Sequence, residues 1–294
     1  MDSHILNASG CLDPLAAPDV ARTLDIVVTK TITPEPRAGN PPVRIAETEH
    51  GMINSIGLQG PGIEAFVGDS LPRLARLGVP VWVSVGGFAA SDYARCCAAL
   101  DGDDRVAAIE LNLSCPNVEE APETAAELVA AARAATSTPL YAKLSPAQWD
   151  IAASARKVVA AGADGLSLVN TIRGLAFDPA TLRPRLVGGV GGYSGPGLRP
   201  IALACVHACA AAVDVPIVGM GGVWSGRDAL ELLGRRERGR ARDGALRRPA
   251  CTRPDPERAR GGTRRRGDRT NSDPRTETVV PLEKYLQRGE NGTA

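Results

Sequence analysis

The chain has 294 residues, which is enough for one α/β barrel or for two ordinary domains. Its hydrophobic content of 44% suits a large core, and only 3% of its residues are aromatic, so we expect an aliphatic core. Seven cysteines without regular spacing argue against a disulfide framework and favour a reducing compartment. With no bilayer-spanning apolar segment and no signal-peptide pattern, a soluble, cytoplasmic protein is expected.

The net charge of +1 conceals a division of the chain near Leu233. Residues 1–234 carry 17 basic and 24 acidic side chains, a balance of −7. Residues 235–294 carry 17 and 9, a balance of +8, in a sequence rich in Arg, Gly and Pro. We therefore predict a folded domain over residues 1–233 and an irregular, disordered tail over residues 234–294.

Short apolar runs alternate with Ala- and Leu-rich runs as far as Leu233. Strands that are apolar throughout, each followed by a helix, indicate a parallel sheet that is buried on both faces. Seven such strands fall one short of a (β/α)8 barrel, and a doubly wound open sheet is the alternative. The predicted strands are 5–8, 26–30, 81–85, 107–113, 140–144, 165–170 and 217–219, and the predicted helices lie near 62–77, 91–100, 121–136, 148–161, 197–212 and 226–233.

Polar and glycine residues stand where these predicted strands end. In a barrel all such ends converge on one face, where barrel enzymes place their chemistry. Two Gly- and Pro-rich excursions, residues 31–60 and 171–195, leave the strand–helix rhythm and are interpreted as ordered active-site loops.

The stretch ELNLSCPN at 110–117 runs from an apolar strand into a polar cluster. Cys115 lies between the amides of Asn112 and Asn117, and Pro116 biases it toward extended geometry. Such a cluster can bind a flat, amide-rich ligand and hold a proton acceptor beside it. Most cysteines are only small hydrophobic residues, which is our interpretation of Cys96, Cys97, Cys205 and Cys209.

Lysine is rare in residues 1–234, yet two of the three lysines there, Lys30 and Lys143, close predicted strands. This favours a functional point charge at each, the alternative being a lysine that merely reaches solvent. The glycines of 219–222 follow a strand and precede a helix, which suits a phosphate, and residues 188–197 form either a second phosphate-facing loop or a flexible one. Without HExxH, CxxC pairs or clustered histidines, no metal site is expected, and the missing GxSxG disfavours a hydrolase.

Seven motifs occur along the chain: ASG (8–10), PEPRAGNPPVRIAETEHGMINSIGLQ (34–59), ELNLSCPN (110–117), YAKLSP (141–146), ADGLSLVNT (163–171), GGYSGP (191–196) and PIVGMGG (216–222). In this order they resemble the class 1 dihydroorotate dehydrogenases, especially the NAD-linked 1B type. The resemblance implies a (β/α)8 barrel with FMN at the C-terminal ends of its strands, and oxidation of dihydroorotate to orotate in pyrimidine synthesis.

The resemblance also implies roles for individual residues. Cys115 would remove the C5 proton of dihydroorotate while the C6 hydride passes to FMN. Lys30 would reach flavin and substrate, and Lys143 would stabilise reduced FMN. The substrate contacts would include Lys30, Asn54, Gly57, Leu58, Asn112, Asn117, Asn170 and Thr171. The FMN contacts would come from Ala8, Ser9, Gly10, Lys30, Asn112, Lys143, Gly195, Gly221 and Gly222.

By the same resemblance, we expect a homodimer and a separate electron-transfer subunit that carries FAD and a [2Fe–2S] cluster, with no membrane or nucleic-acid partner. A dihydropyrimidine dehydrogenase-like subunit is the rival within enzymes. A non-catalytic remnant of a disrupted gene is the rival of a different class.

The sequence departs from the family pattern after Leu233, where an eighth strand with a Gly-Thr phosphate contact is expected and an Arg-rich run is found. Such runs are what GC-rich coding DNA gives in a wrong reading frame, so we interpret the tail as the product of a frameshift. A basic nucleic-acid-binding tail is the alternative. The expected fold is thus an incomplete barrel whose first and seventh strands have unpaired edges.

Overall fold

The computed structural model describes residues 4–113 and 124–233, together with the backbone of strand 276–279. The strands are β1 (Ile5–Leu6), β2 (Val27–Val28), β3 (Ile45–Thr48), β4 (Gly51–Asn54), β5 (Val81–Val85), β6 (Val106–Asn112), β7 (Leu140–Leu144), β8 (Gly165–Leu168), β9 (Ile172–Gly174), β10 (Gly191–Ser194), β11 (Ile217–Gly219) and β12 (Thr276–Val279). The helices are α1 (Pro18–Ala21), α2 (Ile63–Ala65), α3 (Leu71–Ala75), α4 (Ala90–Leu100), α5 (Ala125–Ala135), α6 (Ile151–Ala160), α7 (Arg199–Ala212) and α8 (Gly226–Leu233), with a π-helical turn at Phe66–Ser70 and a 3-10 turn at Pro196–Leu198.

The main sheet is parallel and has the strand order β1-β12-β11-β8-β7-β6-β5-β2. A parallel bridge between Leu6 and Ile26 joins the two ends of this order. Strands that alternate with helices and curl back on themselves make a (β/α)8-type barrel. The barrel prediction is confirmed, and the doubly wound open sheet was wrong.

The eighth place in the barrel differs from our expectation. We expected unpaired edges on β1 and β11, but the backbone of β12 pairs in parallel with both strands. Any extended segment can fill a free edge, because the ladder is made by backbone groups that every non-proline residue carries. The barrel remains incomplete, since no helix follows β12 within the described part of the chain.

The two excursions from the strand–helix rhythm meet in a second, antiparallel sheet of order β3-β4-β10-β9. Strand β10 pairs with β4 through the register of Tyr193 with Ile53, and on its other side with β9. Both excursions are therefore ordered, as predicted, and they support each other.

Side-chain caps set where helices α5 and α6 begin. Thr124 and Glu127 form a reciprocal capping box at the start of α5, with hydrogen bonds of 3.3 and 2.6 Å. Asp150 caps α6 by accepting a hydrogen bond from the amide of Ala153 at 2.8 Å.

Among the described residues, no helix has the length and apolarity to cross a membrane.

Apolar side chains fill the layer between the main sheet and the helices, and also the part of the barrel interior nearer the N-terminal ends of the strands. The larger cluster includes the predicted hydrophobic cysteines Cys96, Cys97, Cys205 and Cys209, all buried. Inside the barrel a separate cluster contains Trp82, whose ring centroid lies 4.1 Å from that of Tyr141. Further along the same strands the interior becomes polar, with buried Ser84, Glu110, Lys143 and Ser167.

Candidate functional site

A chain of side-chain hydrogen bonds crosses the C-terminal ends of the barrel strands. Nδ2 of Asn170 donates to Oδ1 of Asn112 at 3.0 Å, and Nδ2 of Asn112 donates to Oγ1 of Thr31 at 3.1 Å. Oδ1 of Asn170 accepts a hydrogen bond from the amide of Thr171 at 2.8 Å. These bonds fix which end of each amide is the donor and which is the acceptor.

Thr31 is the centre of this network, although no sequence motif marks it as functional. Its hydroxyl lies 3.1 Å from Oγ of Ser84 and 3.4 Å from Oγ of Ser9. Ser9 belongs to the turn after β1, which also contains Ala8 and Gly10. The predicted residues Ser9, Asn112 and Asn170 are thus brought together by one buried threonine.

The backbone behind Asn112 is held from the helix layer. The hydroxyl of Tyr93, a fully buried residue on α4, donates to the carbonyl of Asn112 at 2.8 Å. Gly86 leaves room for Thr31, the hydrogen-bond partner of the Asn112 side chain, since a Cβ on Gly86 would lie 2.9 Å from Cγ2 of Thr31. Packing and hydrogen bonding together give Asn112 a fixed orientation.

The two lysines of the predicted site have different environments. Lys143 is buried inside the barrel, and its Nζ lies 3.3 Å from Oε1 of Glu110. Lys30 is exposed after β2; partial burial lowers its pKa, nearby Arg44 lowers it further, and Asp13 opposes the change. Only Lys143 therefore belongs to the closed interior, while Lys30 stands at its rim.

The predicted phosphate-binding glycines form a close-packed cradle. Gly195, Gly221 and Gly222 have φ values of 114°, 117° and 72°, which favour glycine. A Cβ on Gly222 would lie 2.7 Å from the Arg199 amide nitrogen and 2.8 Å from the Gly195 carbonyl oxygen. The two glycine segments thus touch at the start of α7.

The cradle is braced by an ion pair between Arg199 and Asp228, at the starts of α7 and α8. Asp228 also accepts a hydrogen bond from the amide of Trp224 at 3.0 Å. Main-chain amides at helix starts and backbone free of Cβ atoms suit a phosphate group, so the residues present fit the phosphate of a flavin mononucleotide.

The second sheet brings Asn54 of the first excursion and Thr171 of the second, both predicted substrate contacts, to the same glycine, Gly192. Nδ2 of Asn54 donates to the carbonyl of Gly192 at 3.2 Å, and Thr171 packs on the face of Gly192 where a Cβ would point. Gly57 and Leu58 follow β4 with φ values of 77° and 53°. No described contact joins Gly57 or Leu58 to the Asn112 network.

Cys115 and Asn117 lie outside the described residues, immediately after the last residues of β6. Within the described parts of the chain, no group of three or more His, Cys, Asp or Glu side chains could hold a metal ion. Besides Thr31, sequence reasoning missed Glu110, because a carboxylate in a strand shows its partner only after the strand register is known.

Comparisons with known proteins agree with this geometry. A sequence model of the dihydroorotate dehydrogenase family matches residues 2–234. The dihydroorotate dehydrogenase B (NAD(+)), catalytic subunit, of Desulforudis audaxviator is 48% identical over 217 residues, 71% of each chain. The proteins of the same name from Listeria monocytogenes and Halalkalibacterium halodurans are 41% and 40% identical over 79% of this chain and 80% of theirs. The chain belongs to the dihydroorotate dehydrogenase family.

Proposed function

We propose that this chain oxidises dihydroorotate to orotate in pyrimidine synthesis, with FMN as its cofactor and with residues 1–233 as the catalytic domain. The observation that carries the proposal is the hydrogen-bonded set of Asn112, Asn170 and Thr31 at the barrel's C-terminal face. The relatives named above carry dihydroorotate dehydrogenase in their names, which supports the same activity.

The amides are suited to a pyrimidine ring with a carboxylate. A ring with alternating carbonyl and N–H groups needs both donors and acceptors in fixed positions, which oriented asparagine side chains supply. Asn112 and Asn170 lie in the network, and Asn54, Asn117 and Thr171 would complete the substrate contacts. Gly57 and Leu58 would contribute backbone groups, and Lys30 at the rim would bind the carboxylate.

The flavin would lie across the strand ends. Gly195, Gly221 and Gly222 would surround its phosphate, Ala8, Ser9 and Gly10 would contact it from β1, and Lys30, Asn112 and Lys143 would contact its ring. When bound, FMN supplies a hydride acceptor for C6 of the substrate.

Cys115 would act as the base that removes the C5 proton. A thiolate can do this when the site lowers its pKa, and the reacting proton lies next to a carbonyl whose oxygen the asparagines hold. The order of the sequence supports this role, since Cys115 follows Asn112, the last residue of β6, by three residues.

The word "subunit" in the relatives' names supports a partner protein. We propose that electrons leave through a separate subunit with FAD and a [2Fe–2S] cluster, and that the catalytic chain forms a homodimer. Full NAD reduction by the purified chain alone would contradict the need for that subunit.

The test is reconstitution with FMN, followed by measurement of orotate formed from dihydroorotate with an artificial electron acceptor. We expect FMN-dependent orotate formation. Oxidation of dihydrouracil instead of dihydroorotate would favour a dihydropyrimidine dehydrogenase-like activity, and failure to bind FMN would favour a non-catalytic remnant.

A further inference from the structure

A polar layer lies inside the barrel, directly beneath the network of Asn112. Glu110 precedes Asn112 by two residues and so faces the same interior, and Asn112 is in register with Lys143 on the next strand. Ser84 is in register with Glu110, and Ser167 with Lys143. These polar side chains are buried, with Glu110 at 0% and Lys143 at 5% exposure.

The layer contains a charge pair that is incompletely satisfied. Oε1 of Glu110 lies 3.3 Å from Nζ of Lys143. The other carboxylate oxygen of Glu110 and the hydroxyl of Ser167 are buried without a hydrogen-bond partner among the described residues. Burying two charges is costly, and replacing such a pair with apolar side chains often stabilises a protein, so the pair is poorly explained by stability alone.

We propose that Glu110 is a positioning residue for Lys143: it holds the ammonium group at the floor of the flavin site and offsets its charge, which lowers the reduction potential of the bound flavin. The proposal rests on the proposed FMN site. A cation beside a cofactor that becomes more negative on reduction favours the reduced form, and a carboxylate 3.3 Å from that cation opposes this effect. Both charges lie in a low-dielectric interior, where their balance has the largest effect.

The experiment is Glu110→Gln, which keeps the size of the side chain and one carbonyl oxygen while removing the charge. We expect the ratio of reduced to oxidised FMN at a fixed applied potential to rise about tenfold, which is about 30 mV for a two-electron couple. The matched control is Glu64→Gln on α2, where the carboxylate is 90% exposed and lies 3.8 Å from Arg95, and there the potential should stay unchanged. An unchanged or lowered potential in Glu110→Gln would overturn the proposal.

A double-mutant cycle shows whether Glu110 acts through Lys143. In a Lys143→Met background, Glu110→Gln should raise the potential much less than it does in the wild-type background, because there is no ammonium group whose charge Glu110 offsets. The same upward shift in both backgrounds would contradict a role through Lys143. If Glu110→Gln does not fold, Glu110→Asp, which keeps the charge but shortens the reach, should give a smaller upward shift, and an unchanged potential would count against the proposal.

These readouts separate the inference from the proposed function. The potential is measured on bound FMN and needs no dihydroorotate, so a protein that binds FMN without oxidising dihydroorotate still decides the role of Glu110. If the wild-type chain binds no FMN, the proposed function fails. In that case the double-mutant cycle is measured on the free energy of unfolding in urea, with the flavin-free proteins. Additive effects of Glu110→Gln and Lys143→Met on that free energy would overturn the positioning role.

Discussion

The side-chain amide of Asn170 donates to Oδ1 of Asn112 at 3.0 Å, across the ends of β8 and β6. This single bond fixes the orientation of both amides, because Asn112 in turn donates to Thr31. Two residues 58 positions apart in the chain thereby present one ordered polar surface at the mouth of the barrel.

Replacing Asn112 with alanine should weaken dihydroorotate binding, and it removes the hydrogen bond that Asn170 donates to Oδ1 of Asn112. A buried hydrogen bond whose partner is removed costs about 1–3 kcal/mol, so kcat/KM should fall about 10- to 100-fold. Steady-state kinetics measure this. Gln148→Ala, at an exposed amide before α6, is the control and should keep wild-type kinetics; equal kinetics in both variants would contradict the role of Asn112.

Gly222→Ala should weaken FMN binding. The new Cβ would lie 2.7 Å from the Arg199 amide nitrogen at a φ of 72°, so the cradle must open. We expect at least about a tenfold rise in the Kd of FMN, in line with the 1–2 kcal/mol cost of a left-handed non-glycine residue. Fluorescence titration of FMN measures it. Gly226→Ala, where a Cβ meets nothing within 4 Å, should bind FMN normally.

Thiol labelling should distinguish Cys115 from the buried cysteines. Burial raises the pKa of Cys96, Cys97 and Cys209 to about 12, and it raises the pKa of Cys205 as well. At pH 8 only about one in ten thousand of the first three thiols is ionised, so they should resist iodoacetamide in the folded protein. Mass spectrometry should find Cys115 labelled and these four buried cysteines protected, while the exposed Cys11 is labelled as well. Rapid labelling of the four would contradict their burial.

Removing residues 276–294 should lower the thermal midpoint of the protein, because β1 and β11 would lose the backbone partner that β12 provides. Calorimetry measures the change. Removing residues 280–294 leaves β12 in place and serves as the control. An equal midpoint in both truncated chains would show that β12 does not support the barrel.

The sequence was sufficient for most of the barrel, since β5, β7 and β11 lie where their apolar runs predicted them. It was insufficient where two contacting residues are far apart in the sequence. The pairing of Ile53 with Tyr193 spans 140 residues and leaves no local pattern. Thr31 belongs to no motif, and Glu110 looks like a polar interruption of a strand until the fold brings its carboxylate to 3.3 Å from Nζ of Lys143.

The most extreme case is β12, because we predicted an irregular tail over residues 234–294, although the threonines and valine of Thr276–Val279 favour a strand. Our interpretation of this segment as frameshifted stays a prediction, and sequencing the coding DNA around Leu233 tests it. A continuous reading frame confirmed in several isolates would contradict it.

The most direct test of the proposed function is anaerobic mixing of the FMN-reconstituted chain with dihydroorotate in a stopped-flow spectrometer. We predict loss of the yellow flavin absorbance in a single turnover, slowed about 10²- to 10⁴-fold in Cys115→Ser, as expected when a general base is removed. Flavin that stays oxidised in the wild-type protein, or that is reduced equally fast in Cys115→Ser, would contradict the proposed function or the role of its base.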